Sequence, residues 1–196
     1  MNAPLLPGWP DPVDDAQTLF RQLLDALAHP GRIHTLHRPL AVPVPVPVPL
    51  APAAGAVALT LCDFETPVWL QSPEAAPWLR FHCACPLVDA PATARFVFID
   101  QPAAMPPLSD FAQGEPEYPD RSATLVLQVA SLTGHGLTLS GPGIAGMAQL
   151  GVTGLPAGFW DDWRAQHARF PLGVDLILVA GERFAALPRT TRVEVD

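Results

Sequence analysis

Two short segments and one isolated carboxylate carry the side chains best suited to chemistry. In Pro188-Arg189-Thr190-Thr191-Arg192, two guanidiniums and two hydroxyls form a donor set that matches a phosphate or phosphonate oxyanion, because the planar guanidinium fork can hold two oxygens at once. On an extended backbone alternate side chains point to opposite sides. Arg189 and Thr191 would then face one way and Thr190 and Arg192 the other, so at most one pair serves one anion. The other reading of this segment is a solvated edge guarded by charge. The second segment is Arg80-Phe81-His82-Cys83-Ala84-Cys85. Arg80 and His82 could together hold an anion near a helix terminus, or could serve packing alone. Asp175 stands in the apolar run Val174 to Val179, where a carboxylate is costly unless paired. Arg189 is its obvious partner, which makes Asp175 structural rather than catalytic.

Other chemistries are excluded or unsupported. All 11 basic residues are arginines and the chain has no lysine. A pyridoxal phosphate enzyme needs a lysine amine for its internal aldimine, and a Walker-type loop needs one for the terminal phosphates, so neither fits. A closed metal site wants four ligands at defined spacing, and only Cys62 could join Cys83 and Cys85, so neither a metal nor another cofactor is expected. Cys83 and Cys85 read as small buried thiols beside a helix end. The pair of glycines in Ser140-Gly141-Pro142-Gly143-Ile144 lacks the spacing of a dinucleotide loop. His29, His34 and His37 gather around one helix end without arguing a triad. With a net charge of -8 there is no field to attract nucleic acid or an anionic membrane, so any phosphate site must be local.

The elements that must position these groups are legible in outline. The chain of 196 residues reads as a single domain over residues 1–196 and can bury a sizeable core. Its 25 prolines and 14 glycines belong in connections and at element ends. Ala16, Leu19, Phe20, Leu23, Leu24 and Leu27 follow the spacing of one helix face, predicting a helix from about residue 14 to 28 with Asp14 as its cap and Pro30-Gly31 as its stop. Further helices are predicted at residues 53–62, from Ser72 through Phe81, and at residues 156–168. Strands are predicted at residues 32–37, 68–70, 95–99, 174–179, 184–187 and 190–195. A hairpin is predicted between residues 122–130 and 137–139 across Thr133-Gly134-His135-Gly136. The alternating Val-Pro tract from Val42 to Pro49 predicts polyproline or an edge strand. Its prolines also rule out a membrane-spanning helix over Leu40 to Cys62. Residues 101–121 read as a proline-studded loop. The mixture predicts an α/β layered domain with a mixed sheet. No signal peptide is visible at Met1 to Asp11 and the three cysteines are irregularly spaced, so a cytoplasmic location is expected. The share of charged residues, 15%, is low enough to leave apolar surface for another chain to cover.

Several strings carry a resemblance: DAQTLFRQLLDALAHPG at the first helix, TPVWL at 66–70, LRFH at 79–82, ATLVLQVASL at 123–132 and FPLGVDLILVAGERFAALPRTTRVEV at 170–195. In this order they resemble the PhnH family, a subunit of the bacterial carbon-phosphorus lyase system, from about residue 14 to the C-terminus. The Val-Pro tract, the 101–121 loop, Cys83 and Cys85 depart from the family pattern. The resemblance implies a three-layer α/β/α sandwich similar to the large domain of pyridoxal phosphate-dependent transferases, without the cofactor. It implies a homodimer when isolated and assembly with subunits of the PhnG, PhnI, PhnJ and PhnL type. In that system the ribose triphosphate part of ATP is transferred to methylphosphonate, giving ribose 1-methylphosphonate 5-triphosphate and adenine. An iron-sulfur radical subunit later breaks the C-P bond. The family supplies no catalytic residue to carry over, so Arg80, His82, Arg189 and Thr191 stand as anion-binding candidates on their chemistry alone. Two readings follow: an accessory subunit that completes an enzyme complex, or a self-sufficient binder or transferase for a phosphorylated metabolite.

Overall fold

The structure, a computed structural model, describes residues 8–38 and 50–195. The Val-Pro tract lies outside the described residues. Among them are four α-helices, α1 (Pro12–Ala28), α2 (Pro52–Leu61), α3 (Ala76–Cys83) and α4 (Phe159–His167). The strands are β1 (His34–Thr35), β2 (Val68–Leu70), β3 (Phe96–Ile99), β4 (Thr124–Gln128), β5 (Ser131–Ser140), β6 (Ala148–Thr153), β7 (Asp175–Ala180), β8 (Arg183–Leu187) and β9 (Arg192–Glu194). Six of them form a mixed sheet in the order β1-β8-β7-β4-β3-β2, and three form an antiparallel sheet in the order β6-β5-β9. Strands β2, β3, β4 and β7 run parallel, while β8 and β1 close one side antiparallel.

The central strands are apolar at successive positions because both faces of the large sheet are covered. Phe98, Val126, Ile177, Val179, Phe184 and Ala186 pack on one side with α1, α2 and α3. Val97, Ile99, Leu125, Leu127, Leu176, Leu178, Ala185 and Leu187 pack on the other with α4, the small sheet and the loop residues Leu108 and Phe111. Burying each large side chain fully contributes about 1.5–3 kcal/mol. The result is a layered α/β architecture, with one difference from a plain α/β/α sandwich. Its second outer layer combines one helix, a three-stranded sheet and the 101–121 loop, in which Pro102–Ala104, Leu108–Asp110 and Pro119–Arg121 form 3-10 turns.

Local chemistry explains the element ends. Helix α1 starts before Asp14: Asp11 is the cap, its side chain accepting from the Asp14 N–H at 3.1 Å, and Pro12 takes the first turn where its missing N–H costs nothing. Inside that helix the fully buried Asp15 accepts from the Asp11 N–H at 3.1 Å and lies 3.3 Å from both His37 and Arg38, so the carboxylate is compensated. Helix α2 is small and apolar on every side, with Ala53 through Ala58 all buried, which suits a helix enclosed by its neighbours.

Two further expectations are corrected. Thr133 to Gly136 is no hairpin turn. Thr133 pairs with Gly151 and Leu137 with Leu150, so the residues between them form a bulge within the long strand β5. Gly151 lies under this bulge, where an added Cβ would come within 2.1 Å of the His135 carbonyl oxygen. Strand β5 pairs with β6, a strand the sequence pattern did not predict, from its first residue, Ser131 opposite Thr153, ahead of the bulge. The C-terminal strand β9 is the second correction, because it leaves the β7–β8 hairpin and joins β5.

Candidate functional site

Open parallel sheets usually bind ligands beyond the carboxyl ends of their strands, at a point where the strand order reverses. Here β2, β3, β4 and β7 lie side by side in chain order, so these strands have no such reversal. Their carboxyl ends are also occupied by the protein itself. Gln71 Nε2 donates to the Gln101 carbonyl at 3.0 Å while the Gln101 N–H donates to Gln71 Oε1 at 2.8 Å. Ser72 Oγ donates to Asp100 Oδ2 at 2.8 Å. The N-terminus of α2 reaches the same edge, and an anion would ordinarily suit such a position. The Ala51 N–H instead donates to Gln128 Oε1, and the Ala53 N–H donates to the Gly181 carbonyl at 3.0 Å. Gln128 thus stands where a phosphate oxygen could.

At the opposite end of the strands, Asp175 opens β7 and Arg189 lies just beyond β8. The two carboxylate oxygens of Asp175 accept from Nε of Arg189 at 3.1 Å and from its NH2 group, and the Arg189 backbone N–H donates to Asp175 Oδ1 at 2.7 Å. The remaining guanidinium hydrogens go to the Pro119 carbonyl at 2.8 Å, the Pro171 carbonyl at 3.3 Å and Ser122 Oγ. All of the guanidinium donors of Arg189 therefore bind the protein itself. Arg189 ties together the 119–122 turn, the segment before β7 and the end of β8.

The turn that follows is tightly held. The Thr191 N–H donates to the Pro188 carbonyl at 2.8 Å, and Trp163 Nε1 on α4 donates to the Thr191 carbonyl at 3.0 Å. Thr191 is fully buried. Thr190 and Arg192 point the other way and line an open cleft of about 540 Å³ with His167, Phe170, Gly141 and Pro142. His167 Nδ1 lies 3.1 Å from the Arg189 carbonyl, which can only accept, so Nδ1 carries the proton. Its Nε2 is then an acceptor, and Nε of Arg192 donates to it at 3.4 Å. That geometry orients the arginine.

Arg80 and His82 lie on α3, in the layer opposite the Arg189 turn, so the structure does not bring the two candidate pairs together. His82 packs between Trp78 and Phe81, with ring centroids at 4.7 and 4.9 Å. Arg80 is exposed and lies near Cys85. Cys62, Cys83 and Cys85 are all buried with free thiols. A hydrogen bond to Cys85 and then burial push the Cys83 thiol up, and the same bond pulls the Cys85 thiol down.

A cluster that spacing did not reveal sits at the C-terminal end of α1. His29 Nδ1 and Arg32 NH1 each lie 2.9 Å from the Asp25 carboxylate, and His34 Nε2 lies 3.3 Å from it. His34 also stacks on Phe184, with centroids 5.3 Å apart. Burial lowers its affinity for a proton below the ordinary value of 6.5, outweighing the attraction of Asp25. The unfolded chain therefore takes up this proton at a higher pH than the folded one. The contribution of His34 to stability is expected to be intact above pH 6.5 and to fall as the pH drops below it. Urea unfolding between pH 7.5 and about 5 checks this: His34→Phe should flatten that part of the profile, and an unchanged slope would contradict the assignment.

The geometry defines a mixed α/β protein with filled strand ends and an arginine-edged cleft on its second outer layer. The sequence matches the family model described as bacterial phosphonate metabolism protein (PhnH) over residues 7–194. It is 47% identical over 189 residues to the alpha-D-ribose 1-methylphosphonate 5-triphosphate synthase subunit PhnH of Rhizobium meliloti (strain 1021), covering 94% of this chain and 92% of that one. It is 34% identical over 182 residues to HtxG of Stutzerimonas stutzeri, whose name places it among C-P lyase subunits, with 91% and 86% covered. The chain belongs to the PhnH family.

Proposed function

We propose that this protein is an accessory subunit of a carbon-phosphorus lyase system in organophosphonate catabolism. In this role it supports transfer of the ribose triphosphate moiety of ATP to methylphosphonate. The observation that carries the reading is the 47% identity to a named synthase subunit, maintained over nearly the full length of both chains. The structure supports a role in assembly over one in bond making. Its strand ends are filled by its own side chains, and Arg189 and Asp175 bind each other. In this reading the chain is one folded unit that works with PhnG, PhnI, PhnJ and PhnL type subunits in the cytoplasm and forms a homodimer when isolated. No helix among the described residues is long and apolar enough to cross a membrane. Its framework corresponds to the large domain of pyridoxal phosphate transferases with the cofactor chemistry gone, a reading that the absence of lysine supports.

Coexpression with those subunits tests the proposal. The chain should copurify with them, and the complex should release adenine from ATP in the presence of methylphosphonate. The isolated chain should release none. Adenine release by the lone protein would replace the accessory reading with that of a self-sufficient transferase.

A further inference from the structure

We propose that the cleft bounded by Thr190, Arg192, His167, Phe170, Gly141 and Pro142 binds an organic phosphate or phosphonate. The oxyanion would lie on Arg192 and Thr190, with a carbon-rich portion against Phe170 and Pro142. The proposal deepens the functional reading given above and rests on it for the class of ligand. Its geometry stands independently.

The donor pair comes from the turn itself. Arg189 and Thr191 are turned inward, the one fully hydrogen-bonded and the other fully buried. Thr190 and Arg192 are the members of the same segment left facing the cleft. Among the described residues, the terminal NH1 and NH2 groups of Arg192 make no hydrogen bond or ion pair. Its Nε is held by His167, whose tautomer is set by the Arg189 carbonyl. The guanidinium is thus oriented from behind with its two-pronged end available, the arrangement that bidentate recognition of an oxyanion requires.

Shape and charge agree with this assignment. A volume of about 540 Å³ lies within the range of small-molecule sites and exceeds what a bare phosphate needs. Phe170 is 58% exposed, an apolar surface that lines the same cleft. Among the described residues no carboxylate lines the cleft; Glu194, two residues along β9 from Arg192, lies outside it. In a chain of net charge -8 this is a local site of the kind an anion could find. Gly141 lets the backbone close on the turn: an added Cβ there would lie 2.9 Å from the Thr190 carbonyl oxygen.

The test is calorimetric titration of the purified full chain with ATP, methylphosphonate and inorganic phosphate at fixed ionic strength. ATP should bind at least about tenfold more tightly than inorganic phosphate, because ATP alone of the two offers an apolar body to Phe170. Arg192→Gln should weaken ATP binding by about tenfold or more, Arg192→Lys should recover only part of it, and Thr190→Val should weaken it by less. Arg183→Gln, on the exposed start of β8, should leave binding unchanged. Circular dichroism and the unfolding midpoint confirm that each variant is folded, and Thr190→Val keeps the test open should the Arg192 variants fail to fold. No binding of any of the three anions, equal binding of ATP and phosphate, or equal affinity of wild type and Arg192→Gln would overturn the proposal. Copurification with partner subunits separates the two levels: a chain that assembles but binds no anion removes the cleft proposal alone, whereas one that binds ATP but never assembles removes the accessory reading.

Discussion

Replacing Arg189 by alanine is expected to destabilise the protein by about 3–5 kcal/mol, the range for removing one partner of a buried ion pair and leaving the other uncompensated. The pair is half-buried, with the arginine side chain 13% and the aspartate side chain 23% exposed, and so is largely withdrawn from solvent screening. The loss exceeds that of a surface bridge because the guanidinium also satisfies the Pro119 and Pro171 carbonyls and Ser122 Oγ. Arg189→Lys keeps the charge but cannot reach all of these acceptors, so it should fall between wild type and alanine. Asp175→Ala should cost a comparable amount. The double variant should cost less than the sum, since the charge stranded by either single change is then absent. Urea titration at pH 7 reads the effect as a lower midpoint at unchanged slope. A shift of less than about 1 kcal/mol for Arg189→Ala would show that the other contacts hold this junction without it.

Trp163→Ala should be of similar severity, about 3–5 kcal/mol for a tryptophan removed from a closed core. Trp163 is fully buried among the residues between α4 and the large sheet. Its Nε1 also fixes the Thr191 carbonyl, so truncation leaves a backbone acceptor without its partner. Trp163→Phe separates the two contributions by restoring much of the volume without the donor. It should recover most of the stability while loosening the 188–191 turn. Unfolding midpoints and near-ultraviolet circular dichroism check both outcomes, and equal stability of the alanine variant and wild type would contradict the packing described.

What could be read from sequence divides along the range of the interactions. The first helix, β2, β3 and the β7–β8 hairpin depend on neighbouring residues, and their periodicity and turn residues are plain. The bulge at Thr133 to Gly136 uses the residue types of a hairpin turn, and what distinguishes the two is Gly151, which lies elsewhere in the chain. Strand β6 has glycine and polar residues where a sheet strand usually shows branched ones, and its partner decides its state. The cleft follows the same logic. Arg192 was visible as one of four donors in a short segment, but the histidine that orients it lies 25 residues away. Of the residues that turn inward, Arg189 is held by Asp175, the partner its sequence context suggested, whereas Thr191 is fixed by Trp163, which local spacing does not bring to the segment. The Asp25 cluster was hidden because the partners of Asp25, His29, Arg32 and His34, follow the end of helix α1, where no simple repeat applies.

The pairing of His34 with Phe184 and of Thr35 with Arg183 bears on the order in which the molecule can be built. Helix α1 and strand β1 leave the ribosome early, yet β8, the strand they cover, is made some 150 residues later by the difference of those numbers. Until then the apolar side of α1, with Leu19, Leu23 and Ala26, can meet α2 but has no β8 to rest on. Folding therefore cannot advance steadily from the beginning of the chain. Helix α1 and strand β1 can complete their packing only once the late β7–β8 hairpin is in place. Such distant partners predict slow folding and a nascent chain whose first helix stays only partly covered through most of its synthesis.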